Sequence, residues 1–470
     1  MDKNTSSRTT LDKALRINLD TKKYGTIAEI GAGQEVARQF FKAGAAAGTI
    51  AKTISAYDMK FSDAIYGTQE DGRYVSKSRV RSMIEKEFDL VIDRVGVSRS
   101  KISRYFSYGA TVAAKSYKAD NECHAWCGIR IQMYPGAEPS EIVVHIRMRD
   151  DNADRQQTSL GILGVNLIYA AYYYFENTKT IIDSLTDNLE QDRIEVDSIE
   201  FHGPYFEEVD NRAINLHLIR SWKTRAIIFK PDGSVVVPAE MLYKKNVLTI
   251  RGAFRPVTRL NVDMIEQGLK FFTKMEGVTR DNSIALAEIS LNDSRGNDLN
   301  VPEEDIIARV HLLNTLGYSV MISDHTRYFS LRAYFRQFTK LQIGIVVGIV
   351  NIREIFDEGR YRGVEGGILE GFGKLFPDNT RLLVYPEIDE SGDFRDYTNV
   401  KVPDNLQYLY KHLLENNFIF GIESSDRELF NIFSREVLGQ LPHGCGKWEQ
   451  CLPDGVAEEI IKHGLLGFRE

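Results

Sequence analysis

VLTIRGAFRPVTRLN, residues 247–261, is an apolar run that stops at Gly252 and passes through Phe254 and Pro256 into a helical pattern. A buried strand that turns sharply into an amphipathic helix is the opening of a βα unit, so this stretch sets the fold class. The series continues downstream. SIALAEISL (283–291), SVMIS (319–323), IGIVVGI (343–349), RLLVYPE (381–387) and IFGIE (419–423) read as strands. Between them lie helical segments: VDMIEQGLKFF, a helix opening at Pro302 and stopping at Gly317, and one whose face carries Leu406, Leu409, Tyr410, Leu413 and Leu414.

Upstream, TIAEIGAG (26–33) reads as a strand into a glycine turn before the helix QEVARQFF. The small apolar residues of 43–58 suggest a closely packed helix, and 70–82 a charged surface loop. EIVVHIRMR (141–149), RIEVDSIEF (193–201) and RAIIFK (225–230) read as strands, with an apolar helix at 161–175. The expected fold is α/β, with parallel sheets flanked by helices. A break near 246 would give a flexible stretch 1–20, an N-terminal α/β domain 21–246 and a C-terminal Rossmann-like domain 247–470. A (β/α)8 barrel over about 190–440 fits the same periodicity.

The totals narrow the function classes. A chain of 470 residues exceeds one ordinary core, so two domains are expected. Net charge −7 gives no basic field for nucleic acid. The N-terminus has no apolar signal core and no apolar run spans a bilayer, so a cytoplasmic protein away from membranes is expected. Cys123 and Cys127 flank His124, and Cys445 and Cys451 follow His443, but neither spacing matches the usual zinc pairs. The thiols read as buried or idle, and no metal is expected beyond Mg²⁺ accompanying a nucleotide. AAYYYF (170–175) puts a ring on every helix face, as a buried helix or a subunit interface would, and a homo-oligomer is expected.

Gly252, Phe254 and Pro256 in GAFRPVTRLN resemble the G-x-F-x-P-x-H-x-G-H signature of the nucleotidyltransferases that include nicotinate- and nicotinamide-nucleotide adenylyltransferases. Thr258 and Asn261 stand where that signature has histidines, and Leu260 where it has glycine. IESSDR (422–427), with Ser424, Ser425 and Arg427, resembles the family's second signature, I-S-S-T-x-x-R, with its serines shifted by one place. The whole chain is also similar to a bacterial family whose members carry the name nicotinate-nucleotide adenylyltransferase among others. The resemblance implies a Rossmann-like domain binding a nucleotide or dinucleotide at the turn, with Arg255 and Arg259 supplying the charge the imidazoles would have given, and adenylyl transfer as the chemistry.

Other readings compete. EIGAG (29–33) resembles the first motif of S-adenosylmethionine-dependent methyltransferases through Glu29, Gly31 and Gly33, with Asp58 as the carboxylate for the ribose. The charged loop 147–157, His325 in SDHTRYF and the acidic turn 385–393 offer ligand or metal groups, although a salt-bridged loop, a capping or packing histidine and an exposed turn are the favoured readings. A non-catalytic, self-assembling structural or regulatory protein is the alternative from a different class.

Overall fold

The computed structural model describes residues 8–469 apart from 70–71, 100, 118–120, 292–300, 378, 390 and 444–445. The chain forms two compact units, Met1–Thr224 and Arg225–Glu470.

The first unit runs α1 (Thr10–Asn18), β1 (Lys23–Ile30), α2 (Glu35–Ala43), β2 (Ile50–Ile54), α3 (Met59–Tyr66), α4 (Lys77–Arg99), β3 (Arg104–Ala113), β4 (His124–Ile131), β5 (Ser140–Met148), α5 (Ala153–Tyr173), α6 (Thr178–Ser184), β6 (Ile194–His202) and α7 (Asn211–Arg220). Its sheet has the order β2-β1-β3-β4-β5-β6. β2, β1 and β3 are parallel, whereas β3 to β6 form an antiparallel meander. Residues 43–58 are thus not a helix. Gly44 at φ 85° and Ala45 at φ 58° end α2, and the alternating Ile50–Ile54 pairs with β1 instead. Nor is 10–18 a loose terminus. Thr9 and Asp12 form a capping box, and Ala14 and Ile17 are buried.

Helix α5 is apolar on all sides because it lies within the unit's own core, together with residues of α1, α2 and the sheet. A Cβ on Gly164 would sit 2.3 Å from Val36, so glycine permits the close approach of α2. Two readings are open for this helix, a core or an interface, and its tyrosines have partners inside the unit. Tyr172 Oη donates to the Arg104 carbonyl, and Lys23 Nζ donates to Tyr173 Oη at 2.8 Å.

The second unit runs β7 (Ala226–Phe229), β8 (Val235–Val236), α8 (Pro238–Leu242), β9 (Asn246–Arg251), α9 (Arg259–Phe272), β10 (Ser283–Ser290), α10 (Glu303–Thr315), β11 (Ser319–Ser323), α11 (Tyr328–Arg336), β12 (Ile343–Gly348), α12 (Ile349–Ile355), α13 (Gly367–Leu375), β13 (Thr380–Tyr385), β14 (Glu387–Ile388), β15 (Phe394–Arg395), α14 (Gln407–Glu415), β16 (Ile419–Gly421), α15 (Ser434–Gln440) and α16 (Val456–His463). The main sheet has the order β16-β13-β12-β9-β10-β11-β7-β8, while β14 and β15 form a separate hairpin.

β9, β10, β11, β12, β13 and β16 are mutually parallel. Numbered along the chain, their spatial order is 3-2-1-4-5-6, that of a doubly wound Rossmann-like sheet. No barrel closes among the described residues: β6 belongs to the other sheet, and β8 and β16 are open edges. The unit begins at Arg225, ahead of 246, because β7 pairs antiparallel with β11 and brings β8 with it. Strand β9 lies at the centre, where the winding reverses between first and fourth strands.

Candidate functional site

In an open α/β sheet, ligands settle outside the carboxyl ends of the strands where the strand order reverses. Here that place is the gap between the ends of β9 and β12. Beside the end of β9 a shallow cleft opens between the segment after β11 and the segment from the end of α12 onward, lined by Arg251, Arg327, Tyr328, Glu354, Arg360 and Tyr361 among others. Arg251 ends β9 and lies opposite Glu288 of β10 in the strand register. Its Nε and Nη2 donate to the buried Glu288 carboxylate at 2.6 and 3.0 Å, and Nη2 also donates to the His325 carbonyl at 2.7 Å. Ser323 Oγ, at the end of β11, donates to the same carboxylate at 2.5 Å. The guanidinium stands 4.9 Å from the Tyr328 ring, and Arg360 pairs with Glu354 at 3.2 Å. The result is an aromatic-sided cleft with three arginines, of which Arg251 and Arg360 are paired with Glu288 and Glu354.

The turn after β9 has a different character. Thr258 is the N-cap of α9. Its Oγ1 accepts from the Asn261 amide, and Asn261 Oδ1 accepts from the Thr258 amide at 3.0 Å. The two residues at the histidine positions therefore complete a capping box, and Thr258 is fully buried. Phe254 is buried at φ 48°, and the Arg255–Pro256 peptide is cis. A Cβ on Gly252 would stand 3.0 Å from the Phe254 ring. Arg255 pairs with Asp305 of α10 at 2.7 Å, and Arg259 donates to the Gln450 carbonyl at 3.4 Å. Of the arginines in the turn, only Arg251 lines the cleft.

The second motif does come to the first helix. Asp263, in the opening turns of α9, accepts from Tyr385 Oη at 2.5 Å, the Ser425 amide at 3.1 Å and Ser424 Oγ at 3.2 Å. Burial raises the Asp263 carboxyl, but these donors outweigh it and hold the group below its ordinary range. Arg427 is exposed and stands 5.2 Å from the Phe394 ring of β15, so it takes no part in this cluster.

The remaining sequence candidates are structural. Glu29 accepts from the Val36 and Ala37 amides at 3.0 and 3.1 Å, capping α2 rather than facing a ligand. Burial pushes its carboxyl up to about 7, and the two amide donors oppose that rise. Gly31 sits at φ 96°, where a Cβ would lie 2.1 Å from the Val112 carbonyl. Asp58 caps α3. In the 147–157 loop, Asp150 takes Arg193 and Ser159, and Asn152 caps α5. The 385–393 turn closes on itself through Asp389–Arg395. Cys127 is buried beside Tyr108, with its thiol pushed up to about 12 by burial; Cys445 lies outside the described residues.

Sequence reasoning missed a second polar centre, in the first unit. Asp197 of β6, His145 of β5 and His124 of β4 form a chain across three adjacent strands. His145 Nδ1 lies 2.5 Å from Asp197 Oδ1, and His145 Nε2 lies 3.0 Å from His124 Nδ1. His145 Nδ1–H donates to the Asp197 carboxylate, and the donor between His145 Nε2 and His124 Nδ1 is set by the tautomer of the pair. Burial first, then the charges of His145 and Arg147, push the His124 imidazole down to about 3. The signal was present: in EIVVHIRMR and RIEVDSIEF, His145 and Asp197 occupy polar positions of alternating strands. Only the strand pairing brings them together.

No family model matches the chain, and no curated protein does. Solved structures similar to part of it include the competence/damage-inducible protein CihA from Agrobacterium tumefaciens, at 14% identity and TM-score 0.25, over 34% of this chain and 94% of that one. A competence or damage-inducible protein from Enterobacter asburiae matches at 12% and 0.27, over 35% and 99%. A competence-damaged protein (CinA) superfamily member from Enterobacter cloacae matches at 11% and 0.27, over 36% and 98%. Among the described residues, no helix is long and apolar enough to cross a membrane.

Proposed function

We propose that the second unit binds a nucleotide or dinucleotide in the cleft beside the carboxyl end of β9. The observation that carries this reading is the cleft that brings Arg327, Arg360, Tyr328 and Tyr361 beside the end of β9, the first strand of a 3-2-1-4-5-6 sheet. Guanidinium groups suit phosphate oxygens, and tyrosine rings suit a base. The reading stops at binding. Adenylyl transfer needs groups that carry charge at the phosphates, and Thr258 and Asn261 are neutral and tied to each other. Any Mg²⁺ would enter with the nucleotide.

The test is thermal melting with ATP, NAD and nicotinate mononucleotide, each with Mg²⁺, beside inorganic phosphate. A ligand at a hundred times its Kd adds about 2.7 kcal/mol, enough to move a melting curve. Arg360→Ala and Arg327→Ala should abolish the shift, whereas Arg259→Ala, outside the cleft, should keep it. A flat response to every nucleotide at millimolar concentration overturns the proposal, as does a shift that survives both cleft substitutions.

A further inference from the structure

Helices α10 and α16 bring three ligand-type side chains together away from the crevice. Glu459 and His463 are four residues apart on α16, hence on one face, and His311 comes from α10. His311 Nε2 stands 2.7 Å from Glu459 Oε2, and His463 Nε2 stands 3.4 Å from the same oxygen. One ligand atom from each residue lies within 4.8 Å of the other two. The two imidazole rings are nearly perpendicular, at 83°, with centroids 5.7 Å apart, so their nitrogens converge on the carboxylate without stacking.

We propose that His311, Glu459 and His463 bind a zinc-class divalent cation. Two imidazoles and one carboxylate form a ligand set suited to Zn²⁺, with ligand distances near 2.0–2.2 Å and a fourth position left to water. Such an ion at the centre of three atoms already this close needs only small side-chain adjustments. All three groups are partly exposed, so an ion can enter from solvent. The last turn of α16 also favours a cation, because unpaired carbonyls point that way. Lys462, whose Nζ is 3.8 Å from Glu459 Oε1, neutralises the carboxylate in the metal-free state, and metal binding displaces it from that role. The ion would fasten the C-terminal helix to α10.

The test is titration of the untagged full chain with Zn²⁺ by calorimetry, and with Co²⁺ by visible ligand-field absorption. One ion per chain should bind, with absorption of four-coordinate type. His463→Ala and His311→Ala should each weaken it at least about ten-fold while leaving the metal-free circular dichroism unchanged. Glu459→Gln keeps a neutral acceptor beside the imidazoles and should weaken it as well. Absence of binding overturns the proposal. So does binding unaffected by His463→Ala, or binding lost instead in Cys451→Ser.

Discussion

Thr258 and Asn261 close the start of α9 on each other, the threonine hydroxyl accepting from the asparagine amide while the asparagine side chain accepts from the threonine amide. These are the positions at which a nucleotidyltransferase would hold its two histidines. A side chain engaged in capping stabilises the helix whether or not a ligand is present. Thr258→Ala should therefore lower the stability of the ligand-free protein by about 1 kcal/mol, with Thr258→Ser close to wild type. Urea denaturation measures this. A Thr258→Ala protein as stable as wild type, but deaf to nucleotide, would return the residue to the binding site.

The pair beneath the cleft is a stronger structural element. Glu288 is buried and the Arg251 side chain nearly so, and each is saturated by the other and by neighbouring oxygens and hydroxyls. Arg251→Met leaves the Glu288 carboxylate without its counter-ion and should cost about 3–5 kcal/mol. Adding Glu288→Gln should recover a substantial part. Additive losses in the double-mutant cycle would show that the two side chains do not act as a unit.

Glycine is required at one position of EIGAG far more than at the next. Gly31 combines φ 96° with the Val112 carbonyl in the space of a Cβ, whereas a Cβ on Gly33 meets nothing nearer than 3.8 Å. Gly31→Ala should destabilise the first unit by roughly 2–5 kcal/mol. Gly33→Ala should cost about 1–2 kcal/mol. Equal effects would remove the steric explanation.

The half-buried His124 and the buried Glu29 give the first unit opposite pH responses. His124 is held neutral, down near 3 against an ordinary 6.5. Its folded pKa lies below its unfolded one, so stability is retained above about 6.5 and lost as pH falls toward 3. Glu29 is raised from 4.5 to about 7, so its contribution is complete below 4.5 and lost as pH rises through 7. His124→Gln should flatten the acid limb of the stability profile, and Glu29→Gln the limb between 4.5 and 7. Denaturant midpoints across that range measure both, and unchanged limbs would refute the assignments.

How much of the fold was legible in the sequence depends on the range of the forces involved. The βα rhythm from 247 onward is written locally, in apolar strands and one-sided helices, and each of those strands formed. Strand order is not local: nothing in the periodicity of 343–349 says that β12 joins β9 rather than β11. The antiparallel meander was harder still, because β3 and β4 are buried on both faces and show little alternation. The segment 43–58 misled through composition. Small residues favour helix packing, but two consecutive positive φ angles break the helix, and β1 takes up Ile50–Ile54 as a parallel partner. Thr258 and Asn261 were readable as a cap from their spacing alone; the resemblance directed attention to phosphates instead. His145 and Asp197 carried the right alternation, but their meeting depends on a pairing between β5 and β6 that the sequence does not spell out.

The sheet of the second unit ends at one side in β8, two residues long, and at the other in β16, three residues long. So few unpaired amides and carbonyls make a poor template for an incoming strand from another molecule. Edges this short disfavour edge-wise growth of the eight-stranded layer into fibrils.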